Sequence, residues 1–141
     1  MKLSTKGRYG ARLMMDLALH YGDGPIALKE IAKRQGISEK YLWQLIVPLK
    51  IAGLVSSARG SQGGYVLSKN PSEITLKDII NILDGPLCIV DCVDKPEICE
   101  RSKSCVTRNI WAEVSDKISE ILGSITLQDM IEKQINGKQS K

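Results

Sequence analysis

Two short strand-like runs flank a glycine-rich turn within residues 54–67, and three helical patterns precede them. Apolar residues recur at three- and four-residue spacing from Thr5 to about Tyr21, from Ala27 to Gln35, and again after Ser38, whose hydroxyl is suited to cap a helix. Two helices joined by a tight turn and followed by a β-hairpin form a winged helix-turn-helix. The turn lacks the Gly-Lys-Ser or Gly-Lys-Thr ending of a nucleotide-binding loop, so a hairpin explains it better.

The third helical pattern is the predicted recognition helix. Its inward stripe comprises Leu42, Leu45, Ile46 and Leu49, which leaves Lys40, Trp43 and Gln44 facing outward. Pro48 is expected to end or kink this helix near its third turn, because proline lacks the amide that a helix interior requires.

The rest of the chain continues the helical pattern. Thr75 is suited to cap a helix over Leu76–Leu83, the longest pattern covers Arg108–Leu122, and a short last helix covers Ile125–Ile135. The predicted fold class is mainly α with a small β-hairpin wing: a winged helix-turn-helix domain plus a long C-terminal dimerisation helix. We predict four segments: the winged domain at 1–86, a cysteine-rich loop at 87–105, the dimerisation helix with a short last helix at 106–135, and a flexible tail at 136–141.

The long amphipathic helix needs a surface on which to bury its apolar stripe. Pairing with a second copy would bury the stripe and space two recognition helices for a two-fold symmetric, palindromic DNA site. The alternative is that the helix folds back on its own winged domain.

The charge of the chain is unevenly distributed. Residues 1–70 contain 11 basic and 4 acidic side chains, whereas residues 71–141 contain 9 and 12. A basic half of this kind attracts a polyanion, although an uneven solvated surface would have the same composition. Together with the predicted wing, the charge favours double-stranded DNA, and Arg59 at the wing tip is placed to enter a narrow minor groove.

Composition excludes several classes of protein. A chain of 141 residues with 43% hydrophobic and 26% charged residues is one globular domain in size, rather than a disordered, collagen-like or membrane protein. No apolar run approaches the roughly 18 residues of a spanning helix, and the charged N-terminus does not resemble a signal peptide, so we expect a cytoplasmic protein. A single histidine argues against an enzyme, and a wing argues against an electron carrier.

All four cysteines fall in one short stretch with the spacing Cys88-x3-Cys92-x6-Cys99-x5-Cys105. Grouped thiols in a reducing compartment are more often metal ligands or redox centres than disulfides. Structural zinc usually takes a closely spaced C-x2-C pair, which is absent, and iron–sulfur clusters accept wider spacing. Thiolate ligands suit either metal, so both remain open.

The combined motifs identify a family. They are the opening MKLSTKGRYG, the wing GLVSSARG with Gly63-Gly64-Tyr65, the run Ile74-Thr75-Leu76, and three cysteines before the long helix. With these, the chain resembles the IscR-type iron–sulfur regulators of the Rrf-two family of winged-helix transcription factors over nearly its whole length.

The resemblance implies a homodimeric repressor or activator that controls genes of iron–sulfur cluster or cysteine biosynthesis. It implies that Cys92, Cys99 and Cys105 hold an iron–sulfur cluster, with 2Fe–2S preferred over 4Fe–4S. The family pattern assigns DNA contacts to Tyr9, Ser38, Tyr41, Gln44 and Arg59.

The sequence departs from the family at the fourth cluster ligand. IscR-type proteins commonly have a histidine three residues after the last cysteine, where this chain has Arg108, and nitric-oxide-sensing relatives use an acidic residue where it has Arg8. Cys88, Asp91 or another loop carboxylate, and an exogenous thiol or water are the candidates. His20, the only histidine, lies on the first helix and is not assigned to iron.

A second departure is Trp43, at a position that is acidic in some family members. An indole cannot reject and accept DNA sites as a carboxylate can, and it could either pack on the first helix or contact DNA. The alternatives to a cluster sensor are a repressor whose cysteine loop is fastened by zinc and a nitric-oxide-sensing repressor.

Overall fold

The computed structural model describes residues 3–139, which form seven α-helices and one two-stranded antiparallel sheet. The helices are α1 (Thr5–Leu19), α2 (Leu28–Gln35), α3 (Glu39–Ile51), α4 (Leu76–Asp84), α5 (Asp91–Asp94), α6 (Val106–Ser124) and α7 (Leu127–Gln139). The strands are β1 (Val55–Ala58) and β2 (Gly64–Leu67), and single 3-10 turns lie at Pro71–Glu73 and Pro96–Ile98. This architecture confirms the predicted winged helix-turn-helix with a long C-terminal helix.

Local capping sets the turn between α2 and α3. Gly36 ends α2 in the left-handed conformation, with φ of 65° and ψ of 33°. Two residues later the Ser38 hydroxyl accepts a hydrogen bond from the Tyr41 amide at 3.1 Å and so begins α3. These two short-range signals place the two helices of the motif where the sequence predicts them.

Pro48 lies inside α3, and the helix continues past it to Ile51. Of the two outcomes expected at Pro48, an end or a kink, the helix therefore does not end there. Ile46 and Leu49, on either side of it, are both buried, and their packing stabilises the last turn despite the missing amide. The carbonyl of Pro48 still accepts a hydrogen bond from the Ala52 amide at 3.0 Å.

The wing is a hairpin whose register runs from the pair Val55–Leu67 to the pair Ala58–Gly64. Ile26, between α1 and α2, pairs with Tyr65 through two backbone hydrogen bonds of 3.0 and 2.8 Å. A Cβ atom at Gly64 would overlap the Ile26 carbonyl, so this close approach requires glycine. The wing is thereby fixed to the helical body.

The core lies between α1, α2, α3 and the wing base, and α7 completes it. Leu127 and Ile131 of α7 are 0% and 9% exposed and belong to the same apolar cluster as α1 and α3. Two backbone hydrogen bonds of 2.9 Å, from Leu76 to Ile125 and from Leu127 to Ile74, join the start of α7 to the start of α4. The sequence grouped this helix with the dimerisation segment, but it packs on the winged domain.

The C-terminal end differs from the predicted tail. α7 continues to Gln139, so residues 136–139 are helical, and residues 140–141 of the predicted tail lie outside the described residues. Asn136 is exposed, which is consistent with the polar composition that suggested a tail.

α6 is the longest helix, and Ser115 is its only buried residue. The predicted stripe is exposed at four of its six positions, and the other two are half-buried. The exposed side chains are Ile110 at 47%, Trp111 at 40%, Val114 at 38% and Ile121 at 60%, and the half-buried ones are Ile118 and Leu122. Packing against α4 therefore leaves the apolar face of α6 uncovered. None of the helices within residues 3–139 is both long enough and apolar enough to cross a membrane.

Candidate nucleic-acid interface and cysteine segment

The outer face of α3 is available for contact. Lys40, Trp43 and Gln44 are exposed, whereas the inward stripe of Leu42, Leu45, Ile46 and Leu49 is buried as predicted. Trp43 is 56% exposed, so its ring is not buried against α1. The helix therefore presents a polar and aromatic surface supported by an apolar base.

Tyr9 of α1 connects the first helix to the recognition helix. Its ring meets the ring of Tyr41 edge to face, with the centroids 5.7 Å apart and the planes at 87°. The guanidinium carbons of Arg8 and Arg12 lie 5.5 and 5.4 Å from the centroid of the Tyr9 ring. Two residues predicted to contact DNA, Tyr9 and Tyr41, thus contact each other, and cations flank them.

Arg59 is exposed and is the first residue of the turn that joins β1 to β2. Within residues 3–139 neither Arg59 nor Arg8 forms an ion pair with an acidic side chain. These cations are therefore uncompensated, as expected of groups that meet phosphates.

Asp16 is a site feature that the sequence analysis missed. Its side chain is 2% exposed and accepts hydrogen bonds from Arg34 at 2.8 and 3.1 Å and from Gln35 at 2.9 Å, which ties α1 to α2. Burial opposes the charged form, but the hydrogen bonds from Arg34 and Gln35 outweigh it and hold the pKa of Asp16 below its usual value. The detectable signal was one acidic residue among the buried apolar positions of α1.

His20 belongs to the same group of residues. Its Nδ1 atom lies 2.9 Å from the Asp16 carbonyl oxygen and 3.6 Å from the Asp16 carboxylate. His20 is the C-cap of α1, so its ring lies beside the carboxylate that joins α1 to α2.

The four cysteines are all free thiols and lie between the end of α4 and the start of α6. Cys88 precedes α5, Cys92 lies in α5, Cys99 follows the second 3-10 turn and Cys105 is the N-cap of α6. Cys99 is exposed and the other three are half-buried. In kind, these donors fit a thiolate-bound cluster or zinc ion.

Their arrangement does not form a ready-made metal site. In the described part of the chain, no three His, Cys, Asp or Glu side chains lie close enough to hold one metal ion. The sequence therefore supplies suitable donors that this conformation does not bring together.

The thiols differ in their electrostatic surroundings. Hydrogen bonds from the Thr107 hydroxyl, whose oxygen is 3.1 Å from the sulfur, and from the Arg108 amide lower the pKa of Cys105. Burial, reinforced by Asp94, Asp116 and Asp91, raises the pKa of Cys88. Of these two residues, Cys105 is thus in the setting that favours the thiolate, the form that binds metals.

Arg108 lies where the family commonly has a histidine ligand, and it has a different contact here. Its Nε atom donates to the carbonyl oxygen of Cys92 at 2.8 Å, and its Nη2 atom lies 3.5 Å from the carbonyl oxygen of Val93. A guanidinium has no acceptor and stays charged, so Arg108 cannot act as a metal ligand.

An exposed recognition helix, a wing with an arginine at its tip and a basic N-terminal half define a winged-helix DNA-binding protein. Comparison with known families then identifies the family of this chain. The chain belongs to the Rrf2 (Rrf-two) family, whose profile, described as "Iron-dependent Transcriptional regulator", matches residues 3–133. The resemblance stated from the sequence is confirmed at this level.

Similar proteins divide between two kinds of regulator. The chain is 45% identical over 130 residues to the HTH-type transcriptional regulator CymR of Bacillus subtilis, covering 92% of this chain and 89% of CymR. The solved structure of that protein, described as the global cysteine regulator, matches with a TM-score of 0.80 and 44% identity over 94% of this chain and 98% of that chain. T. potens IscR matches with a TM-score of 0.79 and 47% identity over 95% and 88% of the two chains. The protein is thus a transcriptional regulator and not an enzyme.

Proposed function

We propose that this protein acts in the cytoplasm as a homodimeric repressor or activator whose affinity for a palindromic DNA site depends on the state of its cysteine segment. The observation that carries the proposal is the position of that segment on α6. The Ile89 amide donates to Ser115 Oγ at 3.1 Å, and Arg108 binds the carbonyl of Cys92. α6 is also the helix with the uncovered apolar stripe, so a change in the segment can alter how two copies pair.

The dimer follows from the stripe on α6. Ile110, Trp111 and Ile121 cannot be buried within one chain as it is folded here, and a second copy offers the matching surface. Pairing through α6 would relate the two winged domains by a two-fold axis, which matches a palindromic operator.

The DNA contacts are assigned from side-chain chemistry. Gln44 has the donor and acceptor pair that recognises adenine in the major groove, and Arg59 suits a narrow minor groove. The Ser38 hydroxyl accepts the Tyr41 amide but keeps its own proton to donate to a phosphate. Tyr9 and Tyr41 would present their hydroxyls beside Arg8, where the phosphate backbone would lie.

Cys92, Cys99 and Cys105 are the residues that would hold an iron–sulfur cluster, 2Fe–2S in preference to 4Fe–4S, with Cys88 as a possible fourth ligand. When bound, such a cluster would supply a cross-link between thiolates that is sensitive to oxidation state and iron supply. Similarity to IscR supports this assignment. Together, IscR and CymR favour target genes for iron–sulfur cluster or cysteine biosynthesis.

A metal-free cysteine-supply regulator is the second candidate. The residues described bring no three ligands together, and the similarity to the global cysteine regulator is as high as the similarity to IscR. In that case the thiols or a separate effector, rather than bound iron, would change DNA affinity. The zinc-fastened repressor makes a third prediction, that binding depends on zinc alone.

The deciding experiment is an absorption spectrum with iron, sulfide and zinc analysis on protein purified without oxygen. Equal amounts of iron and sulfide, with visible bands that bleach on reduction, are expected for the cluster regulator. DNA affinity is then compared between this protein and the triple variant Cys92→Ala, Cys99→Ala, Cys105→Ala. A colourless, metal-free protein whose triple variant binds DNA with unchanged affinity would overturn cluster sensing and favour the second candidate.

A further inference from the structure

The cysteine segment is attached to the rest of the chain by half-buried apolar side chains and by polar contacts. Between residues 86 and 105 the only buried side chain is that of Ser102, whose hydroxyl donates to the Pro96 carbonyl within the same segment at 2.7 Å. Leu87, Ile89, Val90 and Val93 are half-buried, so burial of apolar surface contributes to the position of the segment against the long helix. Two polar contacts to α6 add to this attachment and fix its geometry.

The contacts to α6 come from one side of that helix. Arg108 and Ser115 are seven residues apart, which is nearly two full turns, so their side chains project from the same face. Arg108 binds the carbonyl of Cys92 at 2.8 Å, and Ser115 Oγ accepts the amide of Ile89 at 3.1 Å. Both contacts engage the backbone of the segment.

Cys105 is the N-cap of α6, three residues before Arg108. The Arg108 side chain holds the backbone of Cys92, and the Cys105 sulfur lies 3.1 Å from the Thr107 hydroxyl oxygen. Arg108 therefore contacts the backbone of α5 from a position three residues after Cys105.

We infer that Arg108 is a positioning residue: its contact with the carbonyls of Cys92 and Val93, called the latch below, fastens α5 to the first turn of α6 while the thiols are free. A histidine at this position could act as a ligand. It could not direct two nitrogens of one planar group at two carbonyl oxygens, the fork that Arg108 forms. The inference concerns the thiol form and holds whichever effector the proposed function involves.

The test uses the full-length, metal-free, reduced protein without DNA. Hydrogen exchange is measured by mass spectrometry on peptides covering residues 88–99, for the wild type and Arg108→Ala. We expect exchange in this segment to accelerate about ten-fold in the variant, while peptides from α1 and α3 are unchanged, because a charge-assisted contact to a local unit is lost. Lys117→Ala, which removes another cation from the same helix, is the matched control and should exchange like the wild type.

Thiol alkylation supplies a second readout. Loss of the latch should speed labelling of half-buried Cys92 several-fold and leave exposed Cys99 nearly unchanged. Arg108→Lys should restore protection partly, because lysine keeps the charge but cannot form the fork. A mere loss of helix stability would accelerate exchange throughout α6 and would not be rescued by lysine.

Unchanged exchange in residues 88–99 and unchanged Cys92 labelling in Arg108→Ala would overturn the latch. So would acceleration spread evenly over the whole chain in both Arg108→Ala and Arg108→Lys. Neither result bears on the proposed function, which is tested by metal content and DNA affinity. Conversely, a metal-free regulator could still contain the latch.

Discussion

Asp16 shows how one charged residue fixes the geometry of the helix-turn-helix. Its carboxylate is buried, whereas its partner Arg34 is 38% exposed and can be solvated again if the pair is broken. Removing the charge of Asp16 should therefore reduce stability mainly because hydrogen bonds to a charged acceptor are lost.

We expect Asp16→Asn to lower the free energy of unfolding by about 1.5 to 3 kcal/mol. Urea unfolding at pH 7 measures the change. The control is Asp23→Asn, which alters an exposed carboxylate just beyond α1 and should change stability by less than about 0.5 kcal/mol. Equal effects of the two substitutions would contradict a structural role for Asp16.

The contribution of Asp16 should also depend on pH. Because the folded pKa is lowered, the wild type gains stability above the unfolded pKa of about 3.9 and loses it as pH falls through the folded value. The stability difference between the wild type and Asp16→Asn should therefore be complete at pH 6 and shrink below about pH 4. A difference that stayed constant down to pH 2.5 would exclude this linkage.

The predicted contact of Arg59 with DNA can be tested directly by substitution. Arg59→Ala should weaken operator binding about ten-fold and reduce its salt dependence, because an uncompensated cation is lost from the wing. Arg59→Lys should recover the salt dependence but not any preference for A·T-rich flanks. Fluorescence anisotropy at several salt concentrations separates the two, and Lys117→Ala should bind DNA like the wild type.

At the scale of elements, two short motifs join the end of the chain to its middle. Ile74-Thr75-Leu76-Lys77-Asp78 and Ile125-Thr126-Leu127-Gln128-Asp129 each begin a helix, and their threonines pair as an antiparallel bridge. In each motif the threonine hydroxyl accepts the aspartate amide and the aspartate carboxylate accepts the threonine amide, at 2.9 to 3.1 Å. This repeat is visible in the sequence, but only the fold shows that its two copies meet.

Thr126→Ala should lower the free energy of unfolding by about 1 kcal/mol, because it removes one half of the capping box of α7. Hydrogen exchange should rise first in α7, whose start is joined to the winged domain at this point. Ser119→Ala, a half-buried hydroxyl on α6, is the control. Equal protection of α7 in both variants would show that the cap is dispensable.

At the scale of the whole molecule, the uncovered face of α6 is the feature that one chain cannot satisfy. Ile110 and Ile135 are 47% and 46% exposed, but only Ile110 belongs to the α6 stripe. Their equal exposure makes them a matched pair for testing the proposed dimer.

Ile110→Glu should shift the protein to a folded monomer, because a carboxylate would be buried without a partner at the interface. Ile135→Glu should leave the dimer intact. Sedimentation velocity measures the oligomeric state and far-UV circular dichroism the helix content. Monomers from both variants, or dimers from both, would contradict pairing through the α6 stripe.

Patterns of short range explain the features that the sequence predicted well. Residues close together in the chain determine these features: the Ser38 cap, the Gly36 turn, the buried stripe of α3 and the hairpin around Gly64. The pairing of Ile26 with Tyr65 is the exception, because it joins distant residues. Propensity, capping and periodicity act over the same short distance, so the sequence shows them directly.

By itself, the sequence determined the order of helices and wing, the basic surface, and the four thiols in one segment. Only the tertiary structure decided that helix α7 enters the core, that Pro48 stays within α3, and that Arg108 binds the backbone of Cys92. These outcomes depend on which surfaces meet across long separations in the chain. Packing and polar contacts between distant residues stabilise these arrangements, and no local sequence pattern contains those contacts.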